Sequence, residues 1–113
     1  MKVEEAFQVL GLNRLEATVL TYLIAKKRAY FIEIERETGL RQPEVSAAIR
    51  GLKKFDVVGL VDERRHGIKR GRPKKIAFLR DVKKLMNFLR ERKEKVDKAY
   101  EIVETFVVAN TMR

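Results

Sequence analysis

The residues of this 113-residue chain best equipped for chemistry are cations, and they are crowded into one stretch. In Lys69-Arg70-Gly71-Arg72-Pro73-Lys74-Lys75 every residue except Gly71 and Pro73 is positively charged. Pro73 fixes its own φ and disfavours helix at Arg72, while Gly71 opens dihedral angles barred to other residues, so the segment reads as extended. Arg70 and Arg72, held on an extended backbone, are long enough to enter a narrow groove of a polyanion. Catalysis has little to work with. One histidine, no cysteine and no cluster of carboxylates leave no evident nucleophile, general base or thiolate metal site. We therefore expect no enzyme activity, no cofactor and no metal, and His66 reads as a loop residue near the basic stretch.

The formal charge of +10 is unevenly spread. Counting Lys and Arg against Asp and Glu, residues 1–29 give 5 − 3 = +2, residues 30–62 give 5 − 6 = −1, residues 63–75 give 7 − 1 = +6, and residues 76–113 give 9 − 6 = +3. A charge serving only solubility has no reason to concentrate in this way, whereas a nucleic-acid footprint does. An anionic membrane surface is the competing partner, but the cluster lacks the apolar face of an interfacial helix. No run approaches the roughly 18 apolar residues of a membrane span, and the N-terminus lacks the apolar block of a signal peptide. The expected setting is cytoplasmic and nucleoid-associated, and a charged fraction of 37% without Cys or Trp leans toward a thermophilic source.

The elements that must position these cations follow from hydrophobic spacing. Val3, Ala6, Phe7 and Leu10 outline a short amphipathic helix stopped by Gly11. Asn13 with Glu16 three residues later forms a capping-box pattern ahead of a wide face of Leu15, Val19, Leu20, Leu23 and Ile24, which ends in Lys26, Lys27 and Arg28. Ile32, Ile34 and Glu35 to Thr38 give about two more helical turns, stopped by Gly39, with Leu40 folding back onto the core. A further helix starts at Pro43, with Glu44 complementing the positive end of its dipole, and Val45, Ala48, Ile49 and Leu52 form its inner face. Its outer face carries Gln42, Ser46, Ala47, Arg50, Lys53 and Lys54. Leu60 to Arg64 and Lys75 to Leu79 read as two strands of a β-hairpin, with the basic stretch at its long tip.

A helix, a glycine-containing turn and a second helix with a small, polar outer face make a helix-turn-helix pattern. Gln42, Pro43, Glu44, Ser46, Ala47 and Arg50 are the candidates for reading base edges: Gln42 suits adenine, Arg50 guanine or a phosphate, and Ala47 or the Pro43 ring a thymine methyl. Arg41, Lys53, Lys54, Arg64, Arg65, Lys69, Lys74 and Lys75 are candidates for phosphate contacts.

The stretch from residue 10 to 79 resembles the winged helix-turn-helix domains of archaeal and bacterial regulators grouped around the TrmB, ArsR and MarR families. Leu10-Gly11-Leu12 with Glu16-Ala17 is similar to the opening of TrmB-type domains, and Ile34 with Glu37-Thr38-Gly39-Leu40 to the first helix of the motif. Gln42-Pro43-Glu44-Val45-Ser46 with Leu52 resembles an ArsR-type recognition helix, Gly59-Leu60-Val61 the entry to the wing, and Gly71-Arg72-Pro73-Lys74 the return strand. The resemblance implies that the helix from Pro43 to Lys54 enters a major groove while Arg70 and Arg72 reach phosphates or the adjacent minor groove. The sugar-binding domain of longer TrmB-type regulators and the cysteines of metal-sensing ArsR-type ones are absent, so neither sensing chemistry is expected and no small-molecule ligand is evident.

From Arg80 to Met112 the pattern is one long helix, in which Val82, Leu89, Val96 and Val103 recur every seven residues, with Leu85 and Phe106 three places after members of the series. Arg92 and Lys93 interrupt the seam. At about 1.5 Å per residue such a helix outruns a small domain, so Val82, Leu85, Leu89, Val96, Val103 and Phe106 are expected to pair two copies. The reading is then a mainly α fold with a β-hairpin wing: residues 1–79 form a DNA-binding domain and residues 80–113 a dimerisation helix. The function expected is that of a homodimeric, sequence-preferring regulator of transcription. A sequence-tolerant chromatin protein and a winged-helix protein-interaction module are the alternatives.

Overall fold

The computed structural model describes residues 1–63 and 74–112. Five helices and three strands follow in the order α1 (Val3–Val9), α2 (Arg14–Lys26), β1 (Arg28–Tyr30), α3 (Phe31–Thr38), α4 (Gln42–Lys53), β2 (Val58–Glu63), β3 (Lys74–Leu79) and α5 (Lys83–Thr111). α2 starts as its capping box demands: the Asn13 carboxamide oxygen accepts from the Glu16 N–H at 2.8 Å, and the Glu16 carboxylate accepts from the Asn13 N–H at 3.0 Å. Its inner face, with Ala17, Val19, Leu20 and Leu23 all closed to solvent, is the centre of the core. Ile34 of α3 and Val45, Ala48, Ile49 and Leu52 of α4 pack around it, as do Val57, Val58, Ala77, Leu85 and Leu89.

After α2 the chain departs from the expected pattern. Lys27 turns in the left-handed region at φ 73°, and Arg28–Tyr30 form a strand where a cationic helix end was anticipated. Three residues are too few to show a period of two, but they find a partner in β3. The sheet is antiparallel with the order β1-β3-β2, pairing Arg28 with Phe78 and Tyr30 with Ile76 on one side of β3, and Val58 with Leu79 and Glu63 with Lys74 on the other. The wing is thus a hairpin whose return strand is held at both edges.

Gly59 lies inside β2 rather than ahead of it. A Cβ built there would stand 2.3 Å from the Phe78 ring, so the aromatic side chain occupies the space a side chain at this position would need. Gly39, at φ 77°, ends α3 by donating its N–H to the Glu35 carbonyl, as the sequence suggests, and Leu40 turns into the core.

α5 begins at Lys83, three residues later than expected, because Asp81 accepts from the Lys83 N–H at 2.9 Å and Val82 stands at the cap. Two of the residues assigned to pairing, Leu85 and Leu89, are not available for it. They are 1% and 4% exposed, buried in the chain's own core, while the Phe88 ring packs against Phe55 at 4.8 Å between centroids. Beyond Arg90 every described residue of α5 is exposed, and the molecule measures 79 × 26 × 20 Å because about two-thirds of the helix stands clear of the domain.

Candidate nucleic-acid interface

The surface best suited to a nucleic acid is built on α4. The helix begins one residue earlier than expected, at Gln42, so Pro43 is its second residue, where a missing N–H costs nothing. Its start is closed by Glu44, whose carboxylate accepts from the Arg41 N–H at 3.0 Å and stands 3.6 Å from the Arg14 guanidinium. Glu44, named both as a complement to the helix dipole and as a candidate for base reading, is here also the residue that closes the cap. A carboxylate in the first turn also complements the positive end of the helix dipole.

With Val45, Ala48, Ile49 and Leu52 turned inward, the opposite face presents Pro43, Ala47, Arg50 and Lys54, flanked by Gln42, Ser46 and Lys53. Gln42, Pro43 and Arg50 are exposed, and Ser46 and Ala47 are half-buried. Cations bracket this face, with Arg41 before its first turn and Lys53 and Lys54 at its last, all exposed. Arg14 joins them at the N-terminal end through its ion pair with Glu44. It escaped the sequence reading because it lies in another helix, with nothing in its local pattern to mark it.

Behind α4, α2 is packed directly against it and is tied in turn to α3. Gly51 faces α2: a Cβ built on it would stand 1.9 Å from a Glu16 carboxylate oxygen, so the missing side chain is what lets the two helices meet. Tyr22 of α2 hydrogen-bonds Glu37 of α3, and its phenol is pushed up to about 12, first by burial and then by that bond and the charges of Glu37 and Glu33.

The wing is described only at its stems. Lys74 and Lys75 are exposed at the start of β3, with the Lys74 ammonium 5.5 Å from the Tyr30 ring centre and that of Lys75 6.0 Å from the Phe31 ring. The Tyr30 hydroxyl donates to the Glu63 carboxylate, tying β1 to the far edge of the hairpin. Arg64, Arg65, His66, Lys69, Arg70 and Arg72 lie outside the described residues. On the sheet face turned away from the core, Val61, Ile76 and Phe78 with Lys27 and Arg28 line a recess of about 330 Å³. Among the described residues, no helix is long and apolar enough to cross a membrane.

No family model matches the sequence, and no curated protein matches it. Solved structures do match. A possible transcriptional regulator from Methanosarcina mazei Go1 superposes with a TM-score of 0.62 at 13% identity, over 93% of this chain and 88% of that one. A MarR-family transcriptional regulator from Silicibacter pomeroyi gives a TM-score of 0.56 at 16% identity, over 96% and 79%. Bordetella bronchiseptica BpsR, described for the regulation of its DNA binding by 6-hydroxynicotinic acid, gives 0.51 at 14%, over 90% and 80%. At such identities the likeness is one of fold. Three helices packed about α2, a hairpin following α4 and a long C-terminal helix make this a winged-helix fold, of the type found in MarR-like transcriptional regulators.

Proposed function

We propose that the chain is a double-stranded-DNA-binding regulator of transcription that acts as a homodimer, with α4 in the major groove and the wing on phosphates and the adjacent minor groove. The observation that carries this reading is the outer face of α4: small and hydrogen-bonding residues along it, exposed cations at both ends, and a rigid apolar back. The wing adds to it, since residues 63–75, the facing ends of β2 and β3 and the stretch between them in sequence, hold more than half of the chain's excess charge. Gln42 and Arg50 are the residues we assign to base reading, with Pro43, Ser46 and Ala47 shaping the contact. Arg41, Lys53, Lys54, Lys74 and Lys75, together with Arg14, take phosphates. Arg64, Arg65, Lys69, Arg70 and Arg72 are assigned to phosphates and the minor groove from sequence alone. No catalytic role is proposed.

A fluorescence-anisotropy titration against a selected genomic fragment and random DNA tests the reading. For a dimer neutralising roughly 8 to 12 phosphates, log affinity should fall against log salt with a slope of about −7 to −11. Lys53→Ala should reduce that slope by about 1 per site and weaken both DNAs alike, whereas Gln42→Ala should change which DNA is preferred. A slope near zero sinks the DNA reading and favours a protein-interaction module. Equal affinity for both DNAs favours a sequence-tolerant architectural protein. BpsR couples this fold to a small molecule. The expectation of no ligand, drawn from the lack of a ligand motif, therefore carries little force for this chain, and the same titration repeated with aromatic acids would register such a response.

A further inference from the structure

The outer face of the sheet holds an apolar recess that neither the core nor the α4 surface uses. Ile76 and Phe78 stand two residues apart on β3 and so share that face, while Ala77 between them turns into the core. Val61 is paired with Ile76 and Arg28 with Phe78, which puts all four on one side of the sheet. Together with Lys27 they line about 330 Å³, with Ile76 3% exposed and Val61 49%. Both cations are unneutralised. Among the described residues, ion pairs engage Arg14, Lys84 and Lys93, and neither Lys27 nor Arg28 has an acidic partner. Residues 64–73 hold no Asp or Glu to supply one. Glu63, the acid on the same face, sits at the wing end of β2 opposite Lys74 and accepts from the Tyr30 hydroxyl.

Lys27 is also held at φ 73° and ψ −40°, a conformation that suits glycine and strains a residue with a Cβ. Its N–H donates to the Leu23 carbonyl and its carbonyl accepts from the Leu79 N–H, both at 2.8 Å, so α2 and β3 hold the strain in place. A glycine would fit this backbone more easily. What lysine adds is an ammonium group at the recess. We propose that the recess binds a small organic anion with a flat apolar body, its acid group on Lys27 and Arg28 and its body against Val61, Ile76 and Phe78. The two free cations fix the sign of the ligand, and the apolar lining calls for more than an inorganic ion. The volume lies at the small end of ligand sites, which suits a molecule of one or two fused rings. The site is separate from α4 and stands whether or not the chain binds DNA.

Naphthoate is the probe, with naphthalenemethanol as its neutral counterpart, each titrated into the isotope-labelled full chain and followed by amide NMR shifts. Saturable shifts with naphthoate should centre on Arg28, Val61, Ile76 and Phe78, with a dissociation constant on the order of 1 mM for an unoptimised ligand of this size. The neutral counterpart should bind roughly tenfold more weakly, because it offers the cations no charge. Arg28→Gln should weaken naphthoate by a similar factor. Lys27→Gly should do the same and yet raise the thermal midpoint, since it removes the ligand's partner and the strain together. A loss of binding through misfolding would lower the midpoint instead, so the two effects separate. Absence of saturable shifts, shifts confined to α5, equal affinity for the neutral counterpart, or unchanged affinity in both variants would each overturn the site.

Discussion

Glu16 serves two elements with one side chain. One carboxylate oxygen holds the first turn of α2 and the other faces the bare backbone of Gly51 in α4, which makes that glycine a contact point between helices. By propensity alone Gly51→Ala should stabilise an α-helix by about 1 kcal/mol. Here the new methyl must displace a carboxylate that is part of a cap worth about 0.5–2 kcal/mol, so we expect the net effect to be zero or destabilising by about 1 kcal/mol. In a Glu16→Ala background the same change should stabilise by about 1 kcal/mol, and denaturant titration of the four proteins of the cycle measures the difference in sign. Tyr22 offers a second residue-scale test. Its folded pKa lies above its unfolded value near 10, so the folded state holds the phenolic proton more tightly. The stability this contributes is fully present below pH 10 and is lost as pH rises from about 10 through 12. Tyr22→Phe should flatten that fall, seen as a thermal midpoint less sensitive to alkali.

Among the elements, α4 has its start closed by Glu44, which the sequence suggested both for the helix dipole and for base reading. Glu44→Ala should cost the fold about 0.5–2 kcal/mol by chemical denaturation and weaken binding to all DNA sequences alike, because it loosens the helix without touching a base edge. A change in which sequence is preferred would return Glu44 to base reading. The inner face of α4, the Gly39 stop and the Asn13 box were legible in the sequence because each rests on neighbours within one helical turn. β1 was not, since a three-residue strand exists only through its pairing with β3, about fifty residues away. Arg14 beside Glu44 and Glu16 against Gly51 escaped for the same reason: each contact joins two elements whose relative placement no local period encodes. The long helix was legible as an element, but not which of its turns the domain would claim. Leu85 and Leu89 share the spacing of Val96 and Val103, and only packing separates the two pairs.

Taken whole, the molecule is a small domain with about two-thirds of a 29-residue helix standing free. That segment has no tertiary contact among the described residues to hold it, and in proteins most helical stability comes from the packing of an amphipathic face. Its folding is therefore coupled to its covering. Under the homodimer proposed above, the last turns of α5 gain order as two chains meet, and the population of the form that presents two recognition helices rises with the square of the chain's concentration while monomer predominates. The exposed seam from Val96 to Phe106 thus sets a dose response. At low abundance the chain would occupy few sites, and a modest rise in its synthesis would move occupancy through a threshold with no signal other than the amount of the protein itself.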